Sequence, residues 1–426
     1  MGYVTHEVHE MNAYRLHTIP TSKFKTNTII IQLNQSIQQE DVTKRALLPY
    51  VLQSGTEDLP STKQIRSRLD GLYGATLNVD LNKKGENHII TIRMDIANEQ
   101  FLSDQTPLFE QALTLLSNIL LRPNQKDSAF DEQTVEKEKR TLKQRIQSVY
   151  DDKMRYANLR LIQEMCQTER YRLHVNGNSD EIDSITPKSL YQYYQKVLAE
   201  DEIDVYIVGD IDVEKVKAAC HKVFQLPAER KVTEVQPSSV DVEVKEEKEV
   251  FDTQEVKQGK LHLGYRTYTT FKDDDYSALQ VFNGIFGGFS HSKLFINVRE
   301  KESLAYYAAS RVESHKGLML VMSGIEFANY DKTIAIIKEQ LESMRAGDFT
   351  EEELNQTKIM IKNQLLETID QPRGITELLY HQVVAKTNRS FDEMLDGIEK
   401  VTREDVIKAA NKIKLDTIYF LKGKEA

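Results

Sequence analysis

Residues 286–310 read Phe-Gly-Gly-Phe-Ser-His-Ser-Lys-Leu-Phe-Ile-Asn-Val-Arg-Glu-Lys-Glu-Ser-Leu-Ala-Tyr-Tyr-Ala-Ala-Ser. The Gly287-Gly288 pair breaks a helix and lets backbone approach backbone. Ser290 or Ser292 can then cap a new helix whose Leu294, Phe295 and Val298 share one face. That helix runs into the charged Arg299-Glu300-Lys301-Glu302. After a turn, Leu304 to Ala309 reads as a strand. Arg299 at a helix end and Tyr306 at a strand start are thus divided only by a short turn, and both can face one cleft. A planar cationic fork beside a phenol suits a carbonyl, or the oxyanion that forms from it. The same residues also allow a plainer reading, in which the arginine pairs with Glu300 or Glu302 and the tyrosine packs in a core.

Working outward, the chain repeats itself. Phe130 to Ile146 lies on Phe349 to Leu365 without a gap, an offset of 219 residues. The matches Phe130/Phe349, Glu132/Glu351, Lys139/Lys358 and Lys143/Lys362 are identities, and the apolar positions Val135/Leu354, Leu142/Ile361 and Ile146/Leu365 fall in step. Two copies of one unit, each about 200 residues, account for this. Each copy mixes strands with grouped helices. In the first, Thr28–Leu33, Ala75–Leu81, His88–Asp95 and Ile203–Val208 read as strands. Asp41 to Leu52, Ser61 to Leu69, Leu108 to Leu121, Asp131 to Met165 (in two pieces) and Pro187 to Leu198 read as helices. The fold class is therefore α+β, two similar domains, each a mainly antiparallel sheet packed by helices. The boundaries fall at 1–226 and 259–426. Between them, 227–258 is charged and poor in large apolar residues, and reads as a linker, parts of which can form an edge strand. His6 and His9 read as part of a surface arm.

The chain has 426 residues and a formal net charge of -10, which argues against nucleic acid or an anionic membrane as main partner. No apolar run approaches the roughly 18 residues of a membrane span. The N-terminus lacks the pattern of a signal peptide, and Cys166 and Cys220 are isolated. A cytoplasmic location is expected.

Gly287-Gly288, Ser292-Lys-Leu-Phe295, Val298-Arg-Glu-Lys301 and Leu304-Ala-Tyr306 together resemble the C-terminal half of the insulinase/pitrilysin family of zinc metallopeptidases. The resemblance continues through Phe349-Thr-Glu-Glu-Glu-Leu354 and Val401-Thr-Arg-Glu-Asp-Val406, and covers nearly the whole chain. In that family an arginine and a tyrosine seven residues apart bind the substrate carbonyl, which implies this role for Arg299 and Tyr306. It also implies two halves that close like a clamshell on an extended peptide. Gly287, Gly288 and Ser310 are candidate peptide-binding positions. The receiving sheet edge is expected near Ser310–Val312 or Leu318–Met322.

The family's zinc motif, His-x-x-Glu-His on a helix of the first half, is missing. With Gly55-Thr56 as anchor, Ala46 and Tyr50 stand where the histidines belong and Pro49 where the general base belongs. Ala46 has no donor atom, Pro49 no basic side chain, and a phenol is a poor zinc ligand at neutral pH. Glu136 falls near the place of the family's distant glutamate ligand. The expectation is a noncatalytic bacterial subunit with no cofactor of its own. It would lend Arg299 and Tyr306 to a homologous, zinc-bearing partner that cleaves peptides. The alternative is a stand-alone peptide-binding or scaffold protein of the same fold.

Overall fold

The computed structural model describes residues 3–103, 106–227, 229–236, 238, 240 and 242–424. In chain order the elements are β1 (Glu7–Glu10), β2 (Arg15–Pro20), β3 (Thr26–Ser36), α1 (Val42–Ser54), α2 (Thr62–Asp70), β4 (Thr76–Lys84), β5 (Asn87–Ala97), α3 (Leu108–Leu121) and the short β6 (Gln125–Lys126) and β7 (Ala129–Phe130). Next come α4 (Glu132–Asp151), α5 (Lys153–Met165), α6 (Pro187–Glu200), β8 (Glu202–Gly209), α7 (Val213–Val223), β9 (Lys248–Gln254), β10 (Gly259–Arg266) and α8 (Tyr276–Asn283). Two π-helical stretches follow, Gly284–Gly288 and Phe295–Lys301. The chain ends with β11 (Ala305–Glu313), β12 (Leu318–Ile325), α9 (Tyr330–Arg345), α10 (Glu351–Thr368), α11 (Pro372–Ala385), α12 (Phe391–Glu399), α13 (Arg403–Lys412) and β13 (Lys414–Gly423).

The chain divides into two compact units. One holds residues 1–83, 87–148 and 173–236; the other holds 84–86, 149–172 and 237–426. The sheet of the first has the order β1-β2-β8-β3-β5-β4, that of the second β9-β13-β10-β12-β11. From β2 and β9 onward the pairing senses agree. β2 runs parallel to β8, as β9 does to β13, and β3 is antiparallel to both β8 and β5, as β10 is to β13 and β12. Helices α4 and α10 begin at 132 and 351, again 219 apart.

In the first unit Leu16, Ile29, Ile31, Leu33, Ile90 and Ile92 present one sheet face to Leu47, Leu113, Leu116, Leu142 and Leu190 of the helices. In the second, Leu261, Leu263, Val321 and Ile418 meet Leu279, Phe282, Ile337 and Ile361. The opposite face of that second sheet is also covered. Ala157 and Leu161 of α5 pack on Leu320, Tyr419 and Leu421. A Cβ on Gly264 would stand 2.6 Å from Met165 Sδ and 3.3 Å from Leu161, so glycine there permits the close approach of α5.

Two expectations need correction. His6 and His9 are not on a free arm: residues 7–10 pair with β2, His6 is hydrogen-bonded to His17, and His9 to Thr18. The charged Glu-Val-His-Glu hid an edge strand because both its faces are polar. Leu318–Met322 lies in β12, which has neighbours on both sides, whereas β11 is the outermost strand. Of these two strands, only β11, with Ser310–Val312, stands at a sheet edge and leaves backbone donors and acceptors open for strand addition.

Three imidazoles, His262 buried and His315 and His381 half-buried, contribute to the acid response of the second unit. Burial, then Lys260 and Arg311, lowers the His262 pKa to about 3. His315 and His381 stack at 4.8 Å, with Nε2 of the first 2.6 Å from Nδ1 of the second. Burial and neighbouring Lys84 lower them to about 2 and about 3, His315 feeling His381 as well. The folded chain keeps these rings neutral, whereas the unfolded chain protonates them near pH 6.5, roughly the free value. Stability is therefore full above about pH 6.5 and is lost as pH falls from there toward about 3. The urea midpoint, followed by circular dichroism, is expected to drop between pH 7 and pH 5. The loss is up to about 1.4 kcal/mol per pH unit for each histidine. An unchanged midpoint would contradict neutral burial.

Candidate functional site

The second unit builds its site from a π-helical turn and an edge strand. Ser292 Oγ accepts from the Phe295 N–H and starts the turn Phe295–Lys301. Single π-helical turns widen a helix locally and are frequent at functional positions. Arg299 sits in this turn, its guanidinium carbon 4.5 Å from the Phe295 ring centroid and its Nε 3.7 Å from Glu300. The ring face fixes the plane of the fork, and 42% of the side chain stays exposed. The turn packs directly on β11. There Ala305 pairs with Ile325 and Tyr307 with Gly324, so Tyr306 is the extra residue of a bulge and is 70% exposed. Bulges re-aim side chains at sheet edges. Arg299 and Tyr306 are thus on adjoining elements, each open to solvent.

Gly287, Gly288 and Ser310 hold this frame together. A Cβ on Gly287 would meet Ser310 Oγ at 2.5 Å and its backbone nitrogen at 2.8 Å; on Gly288 it would meet Asn283 Nδ2 at 2.9 Å. Ser310 is buried, and its hydroxyl donates to Asn283 Oδ1 at 2.7 Å. The side chains at these positions therefore serve packing, while the backbone at Ser310 stands on the outer strand.

In the first unit Ala46 and Pro49 are buried within α1 and Tyr50 is half-buried. The side chain that α4 brings to Tyr50 is Arg145, its guanidinium carbon 3.4 Å from the ring centroid. Burial raises the Tyr50 phenol; Arg145 opposes this, and Asp80 and Glu138 add to it. One turn on, Ser54 Oγ donates to Glu138 Oε1 at 3.3 Å. Glu136 points elsewhere: it is 52% exposed and bound to Lys139. A methyl group, a pyrrolidine and a phenol stacked under a guanidinium do not make a zinc site. Among the described residues no group of three or more His, Cys, Asp or Glu could hold a metal ion. Arg145 was not recognisable beforehand; only the helix face that meets Tyr50 singles it out from Glu136 and Glu138.

A family profile described as "Peptidase M16 inactive domain" matches residues 184–361. The chain is 53% identical, over 425 residues, to the probable inactive metalloprotease YmfF of Bacillus subtilis (strain 168), covering 100% of this chain and 99% of that one. It is 26% identical over 287 residues to the antilisterial bacteriocin subtilosin biosynthesis protein AlbE of Bacillus subtilis (strain 168), covering 66% and 69% of the two chains. A crystal structure of a conserved protein from Enterococcus faecalis V583 superposes with a TM-score of 0.92 at 33% identity, covering 99% of each chain.

Proposed function

Because the chain belongs to the M16 (insulinase/pitrilysin) peptidase family as an inactive metalloprotease homologue, we propose that it is the noncatalytic subunit of a heterodimeric peptidase. A homologous partner carries the zinc and the cleavage chemistry. This chain, a cytoplasmic internal duplication that needs no cofactor of its own, completes the active site with Arg299 and Tyr306. The observation that carries this reading is a contrast within one molecule. Ala46, Pro49 and Tyr50, which align with the family's metal motif, cannot bind zinc, while Arg299 and Tyr306 lie on adjoining elements and are exposed. A decayed enzyme has no use for a guanidinium aligned on Phe295 beside a bulged, solvent-facing tyrosine. The substrate class is an extended peptide. The outer edge of β11 can add a strand beside Tyr306, and the name of the bacteriocin biosynthesis relative is in keeping with a peptide.

Two measurements test this. Elemental analysis after dialysis against a weak chelator is expected to find no stoichiometric zinc on the purified chain; one tightly held zinc would overturn the reading. Affinity capture from the native host, read by mass spectrometry, is expected to recover a homologue with an intact His-x-x-Glu-His motif. Recovery of the chain without such a homologue would favour a stand-alone peptide-binding or scaffold protein.

A further inference from the structure

We propose that Arg145 is a resident cation standing in the metal's place in the first unit. On this view the unit excludes divalent metal actively, not merely through the loss of ligands on α1. The inference rests on the reading that Ala46, Pro49 and Tyr50 mark a former metal site.

Tyr50 closes the motif on α1, and a metal held there needs a donor from another element facing the same point. The element that faces it is α4, and the residue it supplies is Arg145. With the guanidinium carbon 3.4 Å from the ring centroid, the two groups are in van der Waals contact and leave no room for an ion. The contact is electrostatically favourable because Tyr50 offers a cation its π face and, at the phenol oxygen, a hydrogen-bond partner for the guanidinium. A histidine ligand at residue 50 would offer a lone pair instead, and a dication there would meet a fixed positive charge in a half-buried setting, where screening is weak. Arg145 Nη1 is itself buried without a hydrogen-bond partner. A buried unsatisfied N–H on a charged group is costly, so packing against Tyr50 is what holds this side chain in place. Of the acidic residues nearby, Asp80 on β4 acts on Tyr50 through its charge and accepts from the Leu81 N–H. Glu138 is turned toward Ser54 and Lys137, and Glu136 toward solvent and Lys139.

The test compares zinc binding in four full-length chains: wild type, the triple exchange Ala46→His, Pro49→Glu, Tyr50→His, the same triple with Arg145→Glu, and Arg145→Glu alone. Zinc per chain is measured after dialysis, affinity by competition with a chromophoric zinc chelator, and folding by circular dichroism. The expected result is less than about 0.1 zinc for wild type, the triple and the single exchange, and about one zinc for the quadruple exchange. Zinc held by the triple exchange with Arg145 still present would overturn the proposal, because three restored residues would then suffice. A folded quadruple exchange without zinc would overturn it too, because Arg145 would not stand at the ligand position. Should the triple exchange not fold, Tyr50→His alone against Tyr50→His with Arg145→Glu gives the same comparison, read by cobalt absorption. At least about tenfold tighter binding is expected for the pair, and equal binding would refute the proposal. Zinc on the wild-type chain is a separate result, and sinks the functional reading itself.

Discussion

Peptide cleavage by the assembled enzyme is expected to fall by about two orders of magnitude when Tyr306→Phe or Arg299→Ala is introduced into this chain, with folding and partner binding unchanged. As water adds to a peptide carbonyl, negative charge builds on its oxygen. A donor fixed at that oxygen stabilises the transition state more than the uncharged substrate, so its loss acts on the chemical step. One such donor contributes roughly 3 kcal/mol, which is the stated factor in rate. The structure supplies the rigidity this requires. Arg299 is flattened on Phe295, and Tyr306 is turned out by a bulge that Ala305 and Tyr307 anchor to β12. Neither side chain supports the core, so truncation should leave stability nearly unchanged. Arg299→Lys should rescue only in part, since lysine keeps the charge and loses the planar fork. Tyr307→Phe is the control. The Tyr307 ring lies where a Cβ on Gly324 would come within 2.6 Å of it, and its hydroxyl is buried without a partner, so removing that oxygen costs little. The assay is single-turnover cleavage with saturating variant subunit. Full activity from the double exchange would show that the pair is structural and that the subunit contributes shape alone.

How much of this was legible in the sequence depends on the range of the interaction that decides each feature. The Phe130/Phe349 match located α4 and α10 because amphipathic spacing is a local property, and the capping boxes at Thr186 and Thr402 are equally local devices. Arg299 and Tyr306 could be singled out together because they sit seven residues apart across one turn, and their proposed role comes from the family resemblance. The rest is set by distant partners. Residues 248–254 lie in a charged stretch and become a strand only because β13, 169 residues away in register, offers a parallel edge. Helix α5 shows ordinary amphipathic spacing, yet nothing local shows that it covers the second sheet at Leu320 and Tyr419. The π-helical geometry around Arg299 is likewise invisible, because 3.6-residue spacing alone reads as an α-helix. On α4, spacing places Glu136, Glu138 and Arg145 on a helix without telling which of them reaches Tyr50.

The largest stability effect is expected at a residue that sequence patterns do not mark at all. Lys316 is fully buried in the turn between β11 and β12. Its Nζ lies 2.8 Å from Glu86 Oε1 and 2.7 Å from Glu169 Oε2. Arg266 grips Glu169 with two nitrogens at 3.0 and 2.7 Å, reaches Asp416 at 2.8 Å and donates to the Met165 carbonyl at 2.9 Å. Charges of alternating sign thus run from Glu86 to Asp416 through the second unit. Burial alone would raise the Glu169 carboxyl, but hydrogen bonds from Arg266 and Lys316 overcome it and hold the group below its ordinary value. Lys316→Met removes one cation and leaves two buried carboxylates sharing what remains. Breaking a buried pair from one side typically costs about 3–5 kcal/mol, a large share of a stability of roughly 5–15 kcal/mol. An exposed pair such as Lys143 with Asp183 contributes little, because water screens it. The second exchange Glu86→Gln should therefore recover part of the loss in Lys316→Met, whereas Lys143→Met should change little. The chain has no tryptophan, so urea unfolding is best followed by far-ultraviolet circular dichroism. A loss below about 1 kcal/mol for Lys316→Met would mean that water reaches these charges and that the network does not hold the unit together.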